Sequence, residues 1–111
     1  MVVQVVRASI RPEQRDRWLE LVRMNAAQTR AEEGCESYRV CEDIETPNAF
    51  VLVEEWASLD AQYEHFRHPD FGELMGSLGD VLAEPPEVSI HDVASTQTLD
   101  EALMAAGVAA E

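Results

Sequence analysis

The sequence predicts an α+β fold, an antiparallel sheet with both main helices on one of its faces, and three features point to it. β-Branched stretches at 2–10 and 50–56 are separated by a long segment of helical period and a further strand. The run from Asp43 to Ala49, with Pro47 and Asn48, has the turn chemistry that joins neighbouring strands as a hairpin. Pro85-Pro86 then ends a second helical region and hands over to a last strand. The resulting order, β-α-β-β-α-β, is the ferredoxin-like arrangement.

In the first strand Val2, Val6, Ala8 and Ile10 share one face, while Val3 and Val5 take the other, as expected of a central strand. A helix follows over about 12–32: Pro12 suits its first turn, Glu13 its positive end, and Gly34 its stop. Its inward stripe is Trp18, Leu19, Val22, Ala26 and Thr29. Asn25 lies at the edge of that stripe, where an amide needs partners. The second strand, about 36–42, carries bulk on both faces. In the third, Phe50-Val51-Leu52-Val53 is apolar at every position, so both faces are expected to be covered. The two helices can cover only one. The other predicts a second copy of the chain, a homodimer whose sheets close into a barrel-like core.

Ser58 is the predicted cap of a helix presenting Leu59, Tyr63 and Phe66 and interrupted at Pro69. A short second piece, about 71–82, presents Phe71, Leu74, Met75, Leu78 and Leu82. The last strand, 87–93, alternates Val88 and Ile90 with Ser89, His91 and Val93. The chain thus divides into one domain over 1–93 and a tail over 94–111. Thr98 and Glu101 form a capping-box pattern in that tail, which predicts a short helix stable only when docked on the core or on a partner subunit.

With 22 acidic against 8 basic residues in 111, the net charge of −14 disfavours phosphate backbones and anionic lipid, so neither nucleic acid nor membrane is an expected partner. No apolar run approaches the roughly 20 residues of a bilayer span, and the first residues lack a secretory pattern, so the expected location is cytoplasmic. Cys35 and Cys41 fall in one strand and on one face, about 20 Å apart at strand rise and beyond disulfide reach. Neither has a second thiol or a histidine at ligand spacing, so two buried thiols and no metal are expected.

Several short pieces, in order, carry a family resemblance. They are Arg11-Pro12-Glu13 opening the long helix, Glu33-Gly34-Cys35 with Tyr38, Asp43 and Pro47 in the hairpin, Phe50 leading to Glu55-Trp56, and His65-Phe66 before Pro69-Asp70-Phe71. Over about residues 2–93 the chain resembles the antibiotic biosynthesis monooxygenase domain, a family of dimeric α/β barrels. The resemblance implies a homodimer and a cofactor-independent monooxygenase acting with molecular oxygen on a phenolic, quinol or polyketide-like aromatic substrate. Such chemistry needs a desolvated pocket, a base and hydrogen-bond partners.

On this resemblance Asn25 corresponds to a helix asparagine that would hold a substrate oxygen. His65 corresponds to a second-helix histidine that would act as base, imidazole being the side chain that titrates near neutrality. Trp56 would flank a flat substrate, and Tyr63 and Tyr38 would offer phenolic donors. Each residue also has a plain structural role open to it: an internally bonded amide, a solvent-facing histidine, a packing tryptophan. Two other functions are compatible with the scaffold. One is haem binding and degradation, with His65 as iron ligand and Trp56 against the porphyrin, although the first strand offers Gln4 where such relatives have asparagine. The other is a non-catalytic dimeric binding module.

Overall fold

In the computed structural model, which describes residues 1–108, β-strand propensity and turn chemistry yield four strands: β1 (Val2–Ser9), β2 (Cys35–Glu42), β3 (Ala49–Trp56) and β4 (Glu87–Asp92). They form one antiparallel sheet in the order β2-β3-β1-β4. Four helices accompany it: α1 (Arg15–Arg30, after a short 3₁₀ turn at Pro12–Gln14), α2 (Leu59–Arg67), α3 (Pro69–Ser77) and α4 (Leu99–Ala105). The ferredoxin-like order is therefore present.

The core lies between the sheet and α1. Ala8, Ile10, Tyr38, Phe50 and Leu52 meet Trp18, Leu21, Val22 and Ala26, and the rings of Trp18 and Phe50 sit 5.5 Å apart. Leu21 joins the stripe read from the sequence, while Leu19 is only half-buried, a rotation of the helix by part of a turn. Among the described residues no helix covers the opposite sheet face. Val3, Val5, Val51 and Val53 are half-buried by their neighbours alone, and Arg39 and Cys41 are exposed.

A β-bulge shifts the register between Cys35 and Ser37, setting two residues of β2 against one of β3. Two expectations about the cysteines change as a result. Cys35 packs against the helix-side core, whereas Cys41 lies across from Val51 on the open face and is exposed. They do not share a face, and they are not two buried thiols.

The hairpin is held by a bond from α1. Arg15 Nη2 donates to Glu42 Oε1 at 2.7 Å and Nη1 to Asn48 Oδ1 at 2.8 Å, while the Asn48 amide donates to Glu42 Oε2 at 2.8 Å. Asn48 has φ +65°, a left-handed conformation that asparagine tolerates. The Arg15 guanidinium holds the Glu42 carboxyl well below the usual range, at about 2.

Gly34 ends the α1–β2 connection at φ +85°, and a Cβ there would lie 2.5 Å from Ala61 Cβ, so only glycine lets α2 approach this turn. Ser58 Oγ accepts from the Ala61 amide at 3.1 Å and starts α2 as expected. Pro69 occupies the first turn of α3 rather than merely ending α2, so α3 begins and ends earlier than the apolar spacing suggested. Val81 is fully buried and Leu82 bridges to Ile10, both beyond the helix. The capping box at Thr98 and Glu101 forms, yet α4 buries none of its residues, and Leu99 and Met104 are about three-quarters exposed. Among the described residues no helix is long and apolar enough to cross a membrane.

Candidate active site

The side of the sheet that faces α1–α3 contains polar groups among its apolar ones. On β3 the buried phase runs Phe50, Leu52, Glu54, Trp56, and on β1 it runs Val2, Gln4, Ala8, so a carboxylate and an amide stand mid-sheet, paired directly across the two strands. Glu54 is satisfied by two donors: Trp56 Nε1 to Oε1 and Gln4 Nε2 to Oε2, both at 3.1 Å. Gln4 Oε1 in turn accepts from Gln62 Nε2 at 2.7 Å. Burial pushes the Glu54 carboxyl above its ordinary pKa, against the opposing pull of His65 and the Trp56 hydrogen bond.

His65 enters from α2. It is 5% exposed, and its ring lies 4.8 Å from Trp56 and 5.3 Å from Phe71. Its two nitrogens face two carboxylates. Nδ1 is 2.9 Å from Glu32 Oε2 in the α1–β2 connection, and Nε2 is 3.9 Å from Glu54 Oε1. His65 is therefore an interior residue held between carboxylates, not a solvent-facing one.

Asn25 and Tyr38 meet on the other side of this region. Asn25 Nδ2 donates to the Tyr38 hydroxyl oxygen at 2.7 Å, and Asn25 Oδ1 accepts from Thr29 Oγ1 at 3.3 Å. Both ends of the amide are engaged within the protein. The Tyr38 oxygen accepts from Asn25, and among the described residues its own proton has no acceptor. Burial raises the phenol's pKa, so it stays a donor.

These groups surround the inner part of a cavity of about 140 Å³ whose rim carries the exposed Met75, Pro86 and Val88. Asn25, Tyr38, Glu54 and His65 all stand on its wall, together with Trp18 and Phe71. The rest of the lining is largely aliphatic. Trp18 Nε1 is buried and has no hydrogen-bond partner among the described residues.

Four of the sequence candidates are thus brought together or beside one another: His65, Asn25 and Tyr38 line the cavity, and Trp56 lies behind it. Trp56 does not reach the cavity. It is completely buried, stacks on His65 and holds Glu54, so its position is that of a supporting wall rather than of a substrate plate. Tyr63 is 43% exposed on the outer side of α2 and is not on the wall, because the inward residues of that helix are Gln62 and His65. His68 caps α3 through its Nδ1, and His91 is exposed on β4. Glu54, Gln4 and Gln62 were not anticipated. The signal for Glu54 and Gln4 is present in the strand alternation, which puts each in phase with buried apolar neighbours.

A model of the family described as antibiotic biosynthesis monooxygenase matches residues 1–76. The uncharacterised protein sll1783 of Synechocystis sp. is 34% identical over 90 residues, which are 81% of this chain and 61% of that relative. The chain therefore spans less than two thirds of that relative's length. Among solved structures, Rv0793 from Mycobacterium tuberculosis superposes with a TM-score of 0.80 at 28% identity, covering 87% of this chain and 98% of that one. A Deinococcus radiodurans protein does so with a TM-score of 0.83 at 25% identity, covering 89% and 98%.

Proposed function

This chain belongs to the antibiotic biosynthesis monooxygenase family, and we propose that it is a cofactor-independent monooxygenase acting with molecular oxygen on a single-ring phenol or quinol. The observation that carries this is the cavity between sheet and helices, apolar in most of its lining, with donors on one side and a buried carboxylate and imidazole on the other. A cavity of about 150 Å³ holds one benzene ring. At about 140 Å³ this one has the volume of a single ring.

In this reading a substrate oxygen accepts from the Tyr38 hydroxyl and the Trp18 indole, two buried donors that otherwise lack acceptors. Leaving a donor unpaired costs roughly 1–3 kcal/mol, which a ligand oxygen offsets. Asn25 acts through Tyr38, fixing its oxygen, instead of touching the substrate. The phenolic proton passes to the base formed by Glu54 and His65, whose raised carboxyl pKa suits it to accept one. The electron-rich phenolate then gives one electron to oxygen, the two radicals combine at a ring carbon, and the peroxide so formed takes back the proton held by the base. Loss of water from the hydroperoxide leaves a quinone, so one atom of oxygen ends in the ring carbonyl and the other in water. The dry wall protects the radical pair.

Supplying the metal-free protein with a panel of monocyclic phenols and quinols is expected to give oxygen uptake and a quinone absorbance band. Absence of uptake and of quinone across the panel, while the same compounds bind, would assign the fold to a binding module instead. A haem-degrading reading finds little support in the side chains: His65 Nε2 faces the Glu54 carboxylate, Nδ1 is held by Glu32, and the cavity has the volume of one small ring.

The assembly in this reading is a homodimer. The uncovered valines of β1 and β3 form a continuous apolar strip that a second sheet would bury. Light scattering at micromolar concentration should report about twice the 12.4 kDa chain mass. A value near 12.4 kDa would remove the dimer.

A further inference from the structure

His65 stands on the wall of two separate spaces. One is the cavity between sheet and helices; the other is an open groove of about 850 Å³ between the α1–β2 connection and α2, whose lining includes Glu32, Glu33, Asp60 and Glu64. The imidazole is the partition between them. On the groove side Glu32 Oε2 is 2.9 Å from Nδ1, and on the cavity side Glu54 Oε1 is 3.9 Å from Nε2. Glu32 has 17% of its side chain exposed against 5% for Glu54, so the three groups step from partly wetted to dry.

We infer that Glu54, His65 and Glu32 form a proton conduit joining the buried wall of the cavity to the acidic groove. A proton on Glu54 moves to His65 Nε2, the Nδ1 proton moves to Glu32 Oε2, and Glu32 yields it to water in the groove. Charge and proton number balance at each step: the imidazole gains one proton and gives one up, and the reverse sequence resets its tautomer. The second contact is already a hydrogen bond. The first needs about 1 Å of approach to become one, a movement open to a carboxylate that its two donors hold at 3.1 Å each.

The groups facing His65 are Glu32 from the α1–β2 connection and Glu54 from β3. Asp60 and Glu64 of α2, and His68 and Asp70 at the start of α3, share the groove. That acidic surface attracts protons to the outer end. The arrangement is not that of a metal centre, since the carboxylates address opposite nitrogens of one ring, and among the described residues no group of three such side chains is placed to hold a metal ion.

The conduit deepens the proposed reaction, because it sets whether Glu54 is free of its proton when the phenol arrives, but it can be tested on the free protein. The indole of Trp56 donates directly to Glu54, so its ¹H–¹⁵N resonance reports whether Glu54 carries a proton, with the Trp18 indole as internal control. Through the Glu54 titration, Glu32→Gln is expected to slow proton exchange at Glu54 at least tenfold while leaving the Trp18 resonance in place. The glutamine oxygen still accepts from Nδ1, so the ring stays where it is. In Glu32→Ala, formate added to the groove is expected to restore the exchange rate. A merely structural role would shift the Trp56 resonance without changing the rate. Exchange in Glu32→Gln within twofold of the parent, or slowing in Glu32→Ala that formate does not relieve, would overturn the conduit. Oxygen uptake is measured separately, so loss of the proposed reaction with slowed exchange intact would condemn only that reaction.

Discussion

Replacing Trp56 by alanine is expected to lower the free energy of unfolding by about 3–5 kcal/mol, as for other large buried aromatics. The side chain is completely buried, its ring stacks 4.8 Å from His65, and its N–H is one of two donors to Glu54. The substitution therefore opens a void and at the same time leaves a buried carboxylate one donor short. Against a typical total of roughly 5–15 kcal/mol this is a large part of the molecule's stability. Trp56→Phe separates the two contributions, since it keeps most of the ring and deletes the N–H. Its expected cost is about 1–3 kcal/mol, that of an unpaired buried acceptor. Urea denaturation of both variants at one fixed chain concentration reads the difference. A loss under about 1 kcal/mol for the alanine variant would show that the indole does not support this wall.

How much of this was legible in the sequence depends on what kind of side chain each face carries. The order of elements along the chain, the hairpin turn and the caps at Ser58 and Thr98 follow from local chemistry and needed no tertiary information. Apolar periodicity also located the buried side of α1, because that side is apolar: Trp18, Val22, Ala26. The same rule misplaced α2. Leu59, Tyr63 and Phe66 were its apolar positions, yet the buried pair is Gln62 and His65: Gln62 Nε2 donates to Gln4, His65 Nδ1 meets Glu32, and His65 Nε2 faces Glu54. A helix that turns a polar stripe inward is invisible to a hydrophobic pattern. Strand alternation could have exposed Glu54, a carboxylate in phase with Phe50 and Leu52. The bulge that separates Cys35 from Cys41 has no such local sign.

Glu54→Gln is expected to slow turnover by roughly 10²–10⁴-fold, the range that a positioned general base contributes. The amide is nearly isosteric and can still accept from Trp56, so packing is retained while the proton acceptor is removed. In the parent protein turnover should rise with pH as Glu54 loses its proton, and burial places that rise above the ordinary range of a glutamate. The variant should lack this limb. Stability should show the converse trend. A carboxyl whose folded pKa is raised binds its proton more tightly in the native chain than in the unfolded one. Its contribution is full below the unfolded value of 4.5 and is lost as pH climbs through the raised folded value. Parent stability should therefore decline over that window, and the decline should be absent from the glutamine variant. The stability half requires no substrate: urea midpoints from pH 4 upward suffice. Parallel stability curves for the two proteins would mean that Glu54 titrates like an exposed glutamate. With parental turnover in Glu54→Gln as well, the base would have to be sought outside the Glu54–His65 pair.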